Sequence, residues 1–316
     1  HSFAVVLGQS AMKNKSDYLN GSRWNLVNVN KPSIDYATGN YEQTIVKDAD
    51  GKIISVGAPQ IQHSVSGGNN VVHAISSLFG RLSYNYDEKY MLQATIRRDG
   101  SSRFGPSHKY GTFPSASVGW NIMNEKFMEG TRDWLSNLKF RASWGKNGND
   151  NIGDFRYTVL TSMGNNVLFG KDAIKFNGSK ANATANEDLK WEESEQTDIG
   201  LDFGFFDGRI SGSVDYYWNH TYDLLFYKTA PASSFPTVID NIGKTKGQGL
   251  EVSLMTDIIR TKDFDWTANW SYSHFKDEIT ELTGGVDKYV SGTKGLFVGN
   301  RVNAFYDYKV LGEWGI

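Results

Sequence analysis

The chain has 316 residues, a length that allows one large domain or two ordinary ones. Its 33 basic and 35 acidic residues nearly balance, which excludes the basic excess of a nucleic-acid binder. Cysteine is absent, which excludes disulfide scaffolds, thiolate zinc sites and cysteine nucleophiles, while 16 Tyr, 18 Phe and 9 Trp exclude the aromatic-poor composition of a disordered chain.

No run of eighteen apolar residues occurs, so no transmembrane helix is predicted. The mean hydropathy is negative, but a membrane barrel alternates apolar with polar residues, and its average conceals the lipid face.

The chain opens with a strand-like stretch, Ser2–Gln9, and a long connection over Ser10–Val71. From Leu78 the period is two. Leu78, Gly80, Leu82, Tyr84 and Tyr86 share one face, with Ser77, Arg81, Ser83 and Asn85 on the other. After a polar turn at Asp87, Glu88 and Lys89, the return strand sets Tyr90, Leu92, Ala94 and Ile96 opposite Gln93, Thr95 and Arg97. A loop is expected over Asp99–Thr112. The link Met123–Asn137 is expected to hold a short helix around Glu125–Trp134. A long connection follows over Lys146–Trp191.

The second hairpin alternates Thr197, Ile199, Leu201, Phe203 and Phe205, turns at Asp207-Gly208 where positive φ is needed, and returns through Ile210, Val214, Tyr216 and Trp218. Beyond the connection Thr221–Lys246, a third hairpin pairs Leu250, Val252, Leu254 and Ile258 with Phe264, Trp266, Ala268, Trp270 and Tyr272, and Lys276–Asn300 closes the series. Long and short connections thus alternate, the mark of an outer-membrane barrel with short periplasmic turns and long extracellular loops. The turns at Asp87, Asp207 and Thr261 are assigned to the periplasm. Aromatics gather at both ends of the predicted strands, where amphipathic rings favour the membrane interfaces. The expected fold is all-β, an antiparallel transmembrane β-barrel present in part, as roughly ten strands of a larger barrel. The competing reading is a secreted, soluble β-sandwich that binds glycans.

Catalytic patterns are missing. The six histidines show no paired metal spacing, no GxSxG elbow occurs, and Gly243-Lys244-Thr245 lacks the upstream glycine of a phosphate loop. Acidic neighbours such as Glu192 with Glu193 and Asp277 with Glu278 point to opposite faces of a strand and cannot form a hydrolytic pair. The chain is read as a non-enzyme, without catalytic residues and without a cofactor.

Three groups are candidate binding residues. Trp24, Tyr36, Tyr41, Phe169, Tyr222, Phe226, Tyr227 and Phe235 fall in predicted extracellular loops, where aromatic faces suit sugar rings, peptide side chains or a partner's surface; self-packing of the loops explains them equally. Arg97, Arg98, Asp99 and Arg103 form a loop-mouth network, read as substrate contact or as guanidinium forks that order the loop. Asn149, Asp150, Asn151 and Asp154 offer oxygen ligands that calcium accepts, although a turn-rich loop has the same composition; no metal is assigned.

Several strings resemble the SusC/RagA family of TonB-dependent outer-membrane transporters: Ser77–Leu92 (SLFGRLSYNYDEKYML), Arg97–Gly105 (RRDGSSRFG), Gly111–Ile122 (GTFPSASVGWNI), Leu138–Gly153 (LKFRASWGKNGNDNIG), Leu189–Phe206 (LKWEESEQTDIGLDFGFF), Asn241–Leu254 (NIGKTKGQGLEVSL) and Arg301–Trp314 (RVNAFYDYKVLGEW). Their order and spacing agree from Val71 onward. The resemblance implies a plugged barrel of about twenty-two strands in the cell outer membrane of a Gram-negative, Bacteroidetes-like bacterium. It implies TonB-energised uptake of oligosaccharides or peptides and a SusD-like surface lipoprotein as lid. The implied partners are that lipoprotein, the TonB complex, the lipid bilayer and the imported oligosaccharide or peptide, with no nucleic acid. Residues 1–316 are read as part of one barrel domain, with the plug, the TonB box and the final strands absent from this stretch.

Overall fold

Alternation builds one antiparallel sheet of nine strands. In chain order these are β1 (Ser2–Ser16), β2 (Val71–Tyr86), β3 (Tyr90–Ser101), β4 (Tyr110–Asn121), β5 (Leu135–Asn149), β6 (Glu192–Phe205), β7 (Ile210–Tyr222), β8 (Lys244–Arg260) and β9 (Asp265–Glu281). Each pairs with the next, so the sheet is a meander, open at β1 and β9. The structure, a computed structural model, describes residues 1–23, 40–42, 45–56, 60–67, 71–159, 161–169, 174–181, 185–229, 237–282, 284–291, 294–302 and 304–307.

The register keeps the two faces separate across the sheet. One rung runs Tyr84, Leu92, Val118, Ala142, Ile199, Tyr216 and Leu250; the adjacent rung runs Ser83, Gln93, Ser117, Ser143, Asp198 and Tyr217. A slip of one residue at any pairing would exchange the faces of every strand beyond it. The shortest strands have 12 residues, about 40 Å along the strand and about 30 Å after a 45° tilt, enough to cross a bilayer core.

The apolar face is bare. Leu7 is 81 % exposed, Trp270 68 % and Leu78 65 %. Among the described residues no second sheet covers this face, and the only large buried cluster lies in the loops. A soluble sandwich buries this surface between two layers, so that alternative is rejected. No described helix is long and apolar enough to cross a membrane.

The short turns form where positive φ is available, at Asp87 and Glu88 (φ 53° and 56°) and at Phe206, Asp207 and Gly208 (53°, 53° and 79°). The link after β4 forms two 3-10 helices, Ile122–Asn124 and Lys126–Thr131, the second inside the span Glu125–Trp134 where a short helix was expected; neither has a side-chain N-cap, and Gly130 lies inside the second. Two other expectations need revision. The strands run past their expected ends, β1 to Ser16 and β3 to Ser101, because backbone pairing does not require apolar side chains. Finally, the pairing of β8 with β9 shifts between Asp257 and Ile259, and it is Ile259 that stands opposite Trp266.

The long connections carry hairpins of their own: Thr161–Phe169 with Ile174–Ala181, Leu225–Thr229 with Thr237–Asn241, and Lys288–Ser291 with Lys294–Phe297. Residues Lys13–His73 form a separate compact unit. Within it Gln60–Gly67 pairs with Leu19–Arg23 and Asn40–Glu42, and Ile45–Lys47 pairs with Ile53–Val56 around a turn in which Asp48 Oδ1 accepts from the backbone of Asp50 and Lys52.

At the short-turn end, Glu125 closes the rim. It accepts hydrogen bonds from the Tyr90 hydroxyl (2.6 Å), Trp120 Nε1 (3.2 Å) and Lys89 Nζ (3.4 Å). The Tyr90 bond is the chief reason its carboxyl stays below the ordinary glutamate range; partial burial opposes this, and the Trp120 and Lys89 contacts reinforce it. A depressed pKa in the folded state means the clamp stabilises fully above the unfolded value and fades as pH falls through the folded one. Tryptophan fluorescence of the full-length protein in detergent is therefore expected to show an acid transition below pH about 4.3, the usual glutamate value. Glu125→Gln should abolish it; its persistence in that variant would contradict the assignment.

Candidate functional site

The polar face carries a charged bridge that spans three strands. Arg141 on β5 grips Asp202 of β6 in a forked contact, Nη2 to Oδ1 at 2.7 Å and Nε to Oδ2 at 2.9 Å. Its Nη2 also reaches Asp215 of β7 at 2.8 Å. In the register, Gly200 stands between Arg141 and Asp215. A Cβ there would overlap the Asp215 carboxylate and crowd the guanidinium. Gly200 is thus the gap through which the bridge crosses β6. Asp198 and Glu251 lie close enough to act on the same electrostatic environment, so this patch of wall is acidic with one arginine at its centre.

Glycines also seat aromatic rings on this polar face. The Tyr217 ring lies over Gly249 and stacks on Phe275 (6.4 Å, 20°). The Phe113 ring lies over Gly111 and Gly148. Arg97 stands over Phe79 at 5.8 Å, donates from Nη2 to buried Ser77 (2.9 Å) and pairs with Asp99 (2.7 Å).

Above Phe113 the loops have a core of their own. Phe104, Phe113, Ile152, Leu189, Trp191 and Ile239 form one buried cluster, with Leu225 against it. Trp191 contacts Phe104 (5.2 Å) and Phe113 (5.4 Å) and donates from Nε1 to the Lys109 carbonyl (3.2 Å). Polar side chains tie the surrounding backbone. Asn241 Nδ2 donates to the carbonyls of Lys190 and Asp223, and its Oδ1 accepts from Lys190 N–H. Asn186 donates to the Ile239 carbonyl, and Glu192 accepts from Leu225 N–H.

The loop-mouth group expected from sequence is divided. Arg97 and Asp99 belong to the inner wall. Arg98 is on the opposite face, over the Tyr110 ring at 5.1 Å. Arg103 orders the loop: Nε donates to Asp154 (3.0 Å) and Nη1 to the Asp150 carbonyl (3.1 Å). Asp150 also accepts from the hydroxyl of fully buried Ser101 at 2.6 Å, while Asn149 Oδ1 accepts from Asn151 N–H. The four oxygen-bearing residues considered for calcium are therefore arranged around a guanidinium and a turn, and no group of metal-type ligands occurs among the described residues. Glu192 and Glu193 serve opposite faces, the second pairing with Lys146 at 3.4 Å.

Among the loop aromatics, Phe226 packs edge-on against Tyr289 (5.8 Å). Tyr222 shares the outer-face rung order and stacks on His220 (6.4 Å). Tyr41 lies in the strand Asn40–Glu42, Phe169 ends Thr161–Phe169 and Tyr227 lies in Leu225–Thr229. Trp24, Tyr36 and Phe235 lie outside the described residues. Sequence reasoning missed Tyr217, Phe275 and Arg141. The signal was available: an aromatic or arginine on the polar parity of a strand, with glycine at the matching position of its neighbour.

A bare apolar outer face, a polar inner wall, short turns at one end and folded loops at the other define a segment of an outer-membrane β-barrel. The chain belongs to the TonB dependent receptor-like, beta-barrel family, whose model matches residues 5–316. It is 38 % identical over 256 residues to the TonB-dependent receptor SusC of Bacteroides thetaiotaomicron, covering 75 % of this chain and 25 % of that protein. It is 37 % identical over 250 residues to a TonB-dependent receptor of Formosa agariphila, covering 79 % and 23 %. Among solved structures it matches the RagAB peptide transporter with TM-score 0.74 and 26 % identity, over 96 % of this chain and 31 % of that one. The chain thus spans about a quarter of the length of these curated relatives, and its place is the outer membrane.

Two substitutions test this geometry. Gly200→Ala should break the Arg141–Asp215 contact and lower barrel stability by about 1–3 kcal/mol, the usual range for overpacking, read as a lower temperature for the loss of heat-modifiable gel migration. Trp191→Ala should open the loop core while the sheet persists, since truncating a buried aromatic costs about 3–5 kcal/mol. Hydrogen exchange should then rise at residues 186–191 and 239–242 and stay slow in β6 and β7.

Proposed function

We propose that the full-length protein is a TonB-energised importer of oligosaccharides or peptides that works with a SusD-like surface lipoprotein as its lid. The observation that carries this reading is the two-faced antiparallel sheet of nine strands, taken with the similarity to SusC and to the RagAB peptide transporter. Residues 1–316 are one portion of a larger plugged barrel domain, with the plug, the TonB box and the last strands elsewhere in the full-length protein. Nine strands leave a sheet whose edges need partners, and barrel diameter grows with strand number.

Substrate is held between the lid and the loops. The loop core built on Trp191 gives that chamber a rigid wall, and movement of the plug opens the lumen beneath. The Arg97–Asp99 pair and the Arg141 bridge then face the passage. These groups bind and orient polar cargo and do no covalent chemistry. The contact residues for cargo or lid are the loop aromatics Trp24, Tyr36, Tyr41, Phe169, Tyr222, Phe226, Tyr227 and Phe235.

Extraction of the full-length protein from its own outer membrane in mild detergent, followed by mass analysis of what co-purifies, tests the proposal. A stoichiometric surface lipoprotein and a bound oligosaccharide or peptide are expected. Recovery without detergent, lipoprotein or cargo would overturn it. Alanine at Tyr41 or Phe169 should reduce retained cargo about threefold to tenfold, the value of one aromatic contact.

A further inference from the structure

The outer face holds a feature that transport does not use. Near the loop ends of β1–β4, a groove of about 710 Å³ is lined by Gln9, Ala11, Ser76, Leu78, Arg98 and Tyr110. The small side chains of Ala11 and Ser76 leave room for it. Gly100 has no side chain, and the Tyr110 ring lies directly across it, where any Cβ would collide with the ring. Tyr110 in turn supports the Arg98 guanidinium at 5.1 Å. A cation over an aromatic face keeps its fork of N–H donors pointed away from the ring, available to a ligand.

Arg98 differs from two other cations at the loop ends of this face. Lys146 is paired with Glu193 at 3.4 Å, and Lys246 with Glu278 at 3.3 Å. Among the described residues no carboxylate pairs with the Arg98 side chain, which rests on Tyr110. An exposed guanidinium on a lipid-facing wall is costly unless an anion or water meets it. Immediately towards the short-turn end, the wall becomes wholly apolar, with Leu7, Leu78 and Ile96 all more than half exposed. The order along the strand is therefore polar rim, cation, then a strip fit for acyl chains.

We propose that this groove is a binding site for a phosphate-bearing lipid of the outer leaflet, with Arg98 forked on the phosphate, Gln9 and the Tyr110 hydroxyl at the headgroup's polar edge, and an acyl chain along Leu7, Leu78 and Ile96. A guanidinium matches two phosphate oxygens at once, which an isolated lysine does not. The long-loop end of the barrel is the extracellular end, so the lipid belongs to the outer leaflet. The site requires only that this face meets lipid and is independent of what the barrel imports.

The test uses the full-length protein in nanodiscs of neutral lipid doped with lipid A, either phosphorylated or enzymatically dephosphorylated, with bound lipid counted by native mass spectrometry. Wild type should retain the phosphorylated form over the dephosphorylated one by about fivefold, the upper value of one exposed charge pair. Arg98→Gln should remove that preference and Arg98→Lys should keep part of it, with heat-modifiable gel migration showing that both variants fold. No preference in wild type, or full preference in folded Arg98→Gln, would overturn the proposal.

Discussion

Everything in this protein depends on the complete pairing of backbone groups across a sheet whose outer side meets hydrocarbon. An unpaired N–H or C=O in lipid costs several kcal/mol, so the strands must pair along their whole membrane length. Once they do, the period of two decides where every side chain goes. Leu92, Val118, Ala142 and Ile199 share one rung because Gln93, Ser117, Ser143 and Asp198 share the next. Apolar outer face and polar inner wall are thus two consequences of one register.

The polar wall then sets a second problem, since charged groups on a sheet must find partners sideways, across strands. Arg141 does so through the gap at Gly200. The same device seats Tyr217 over Gly249 and Phe113 over Gly111 and Gly148. Glycine weakens a strand by itself; here each of these glycines is covered by a neighbour's large side chain, which restores packing and fixes the position of that side chain. The wall consequently presents placed groups, such as the Arg97–Asp99 pair and the Tyr217–Phe275 stack, on a scaffold that cannot shift register without exposing polar residues to lipid.

The loops follow a different logic. They have no lipid to organise them, and they bury a small core in water. Phe104, Ile152, Leu189, Trp191 and Ile239 come from three separate connections, tied by Asn186, Asn241 and Arg103. The loop region therefore has a hydrophobic core of its own, separate from the sheet. The Glu125 clamp does comparable work at the opposite rim, where Tyr90, Trp120 and Lys89 converge on one carboxylate.

The amino-acid sequence by itself determined the strand positions, the two faces, the short turns and the family. These are local properties: alternation is visible within ten residues, and Asp207-Gly208 marks its turn without reference to anything distant. It grouped Arg97, Arg98, Asp99 and Arg103 in one network, and could not show that Arg98 rests on Tyr110 or that Arg103 draws together Asp150 and Asp154 from a loop some fifty residues away. It missed Arg141, because the meaning of an arginine on a polar rung depends on which glycine and which carboxylates stand on the next two strands. Those neighbours are set by hydrogen-bond register between distant segments, a long-range property that only the assembled sheet decides.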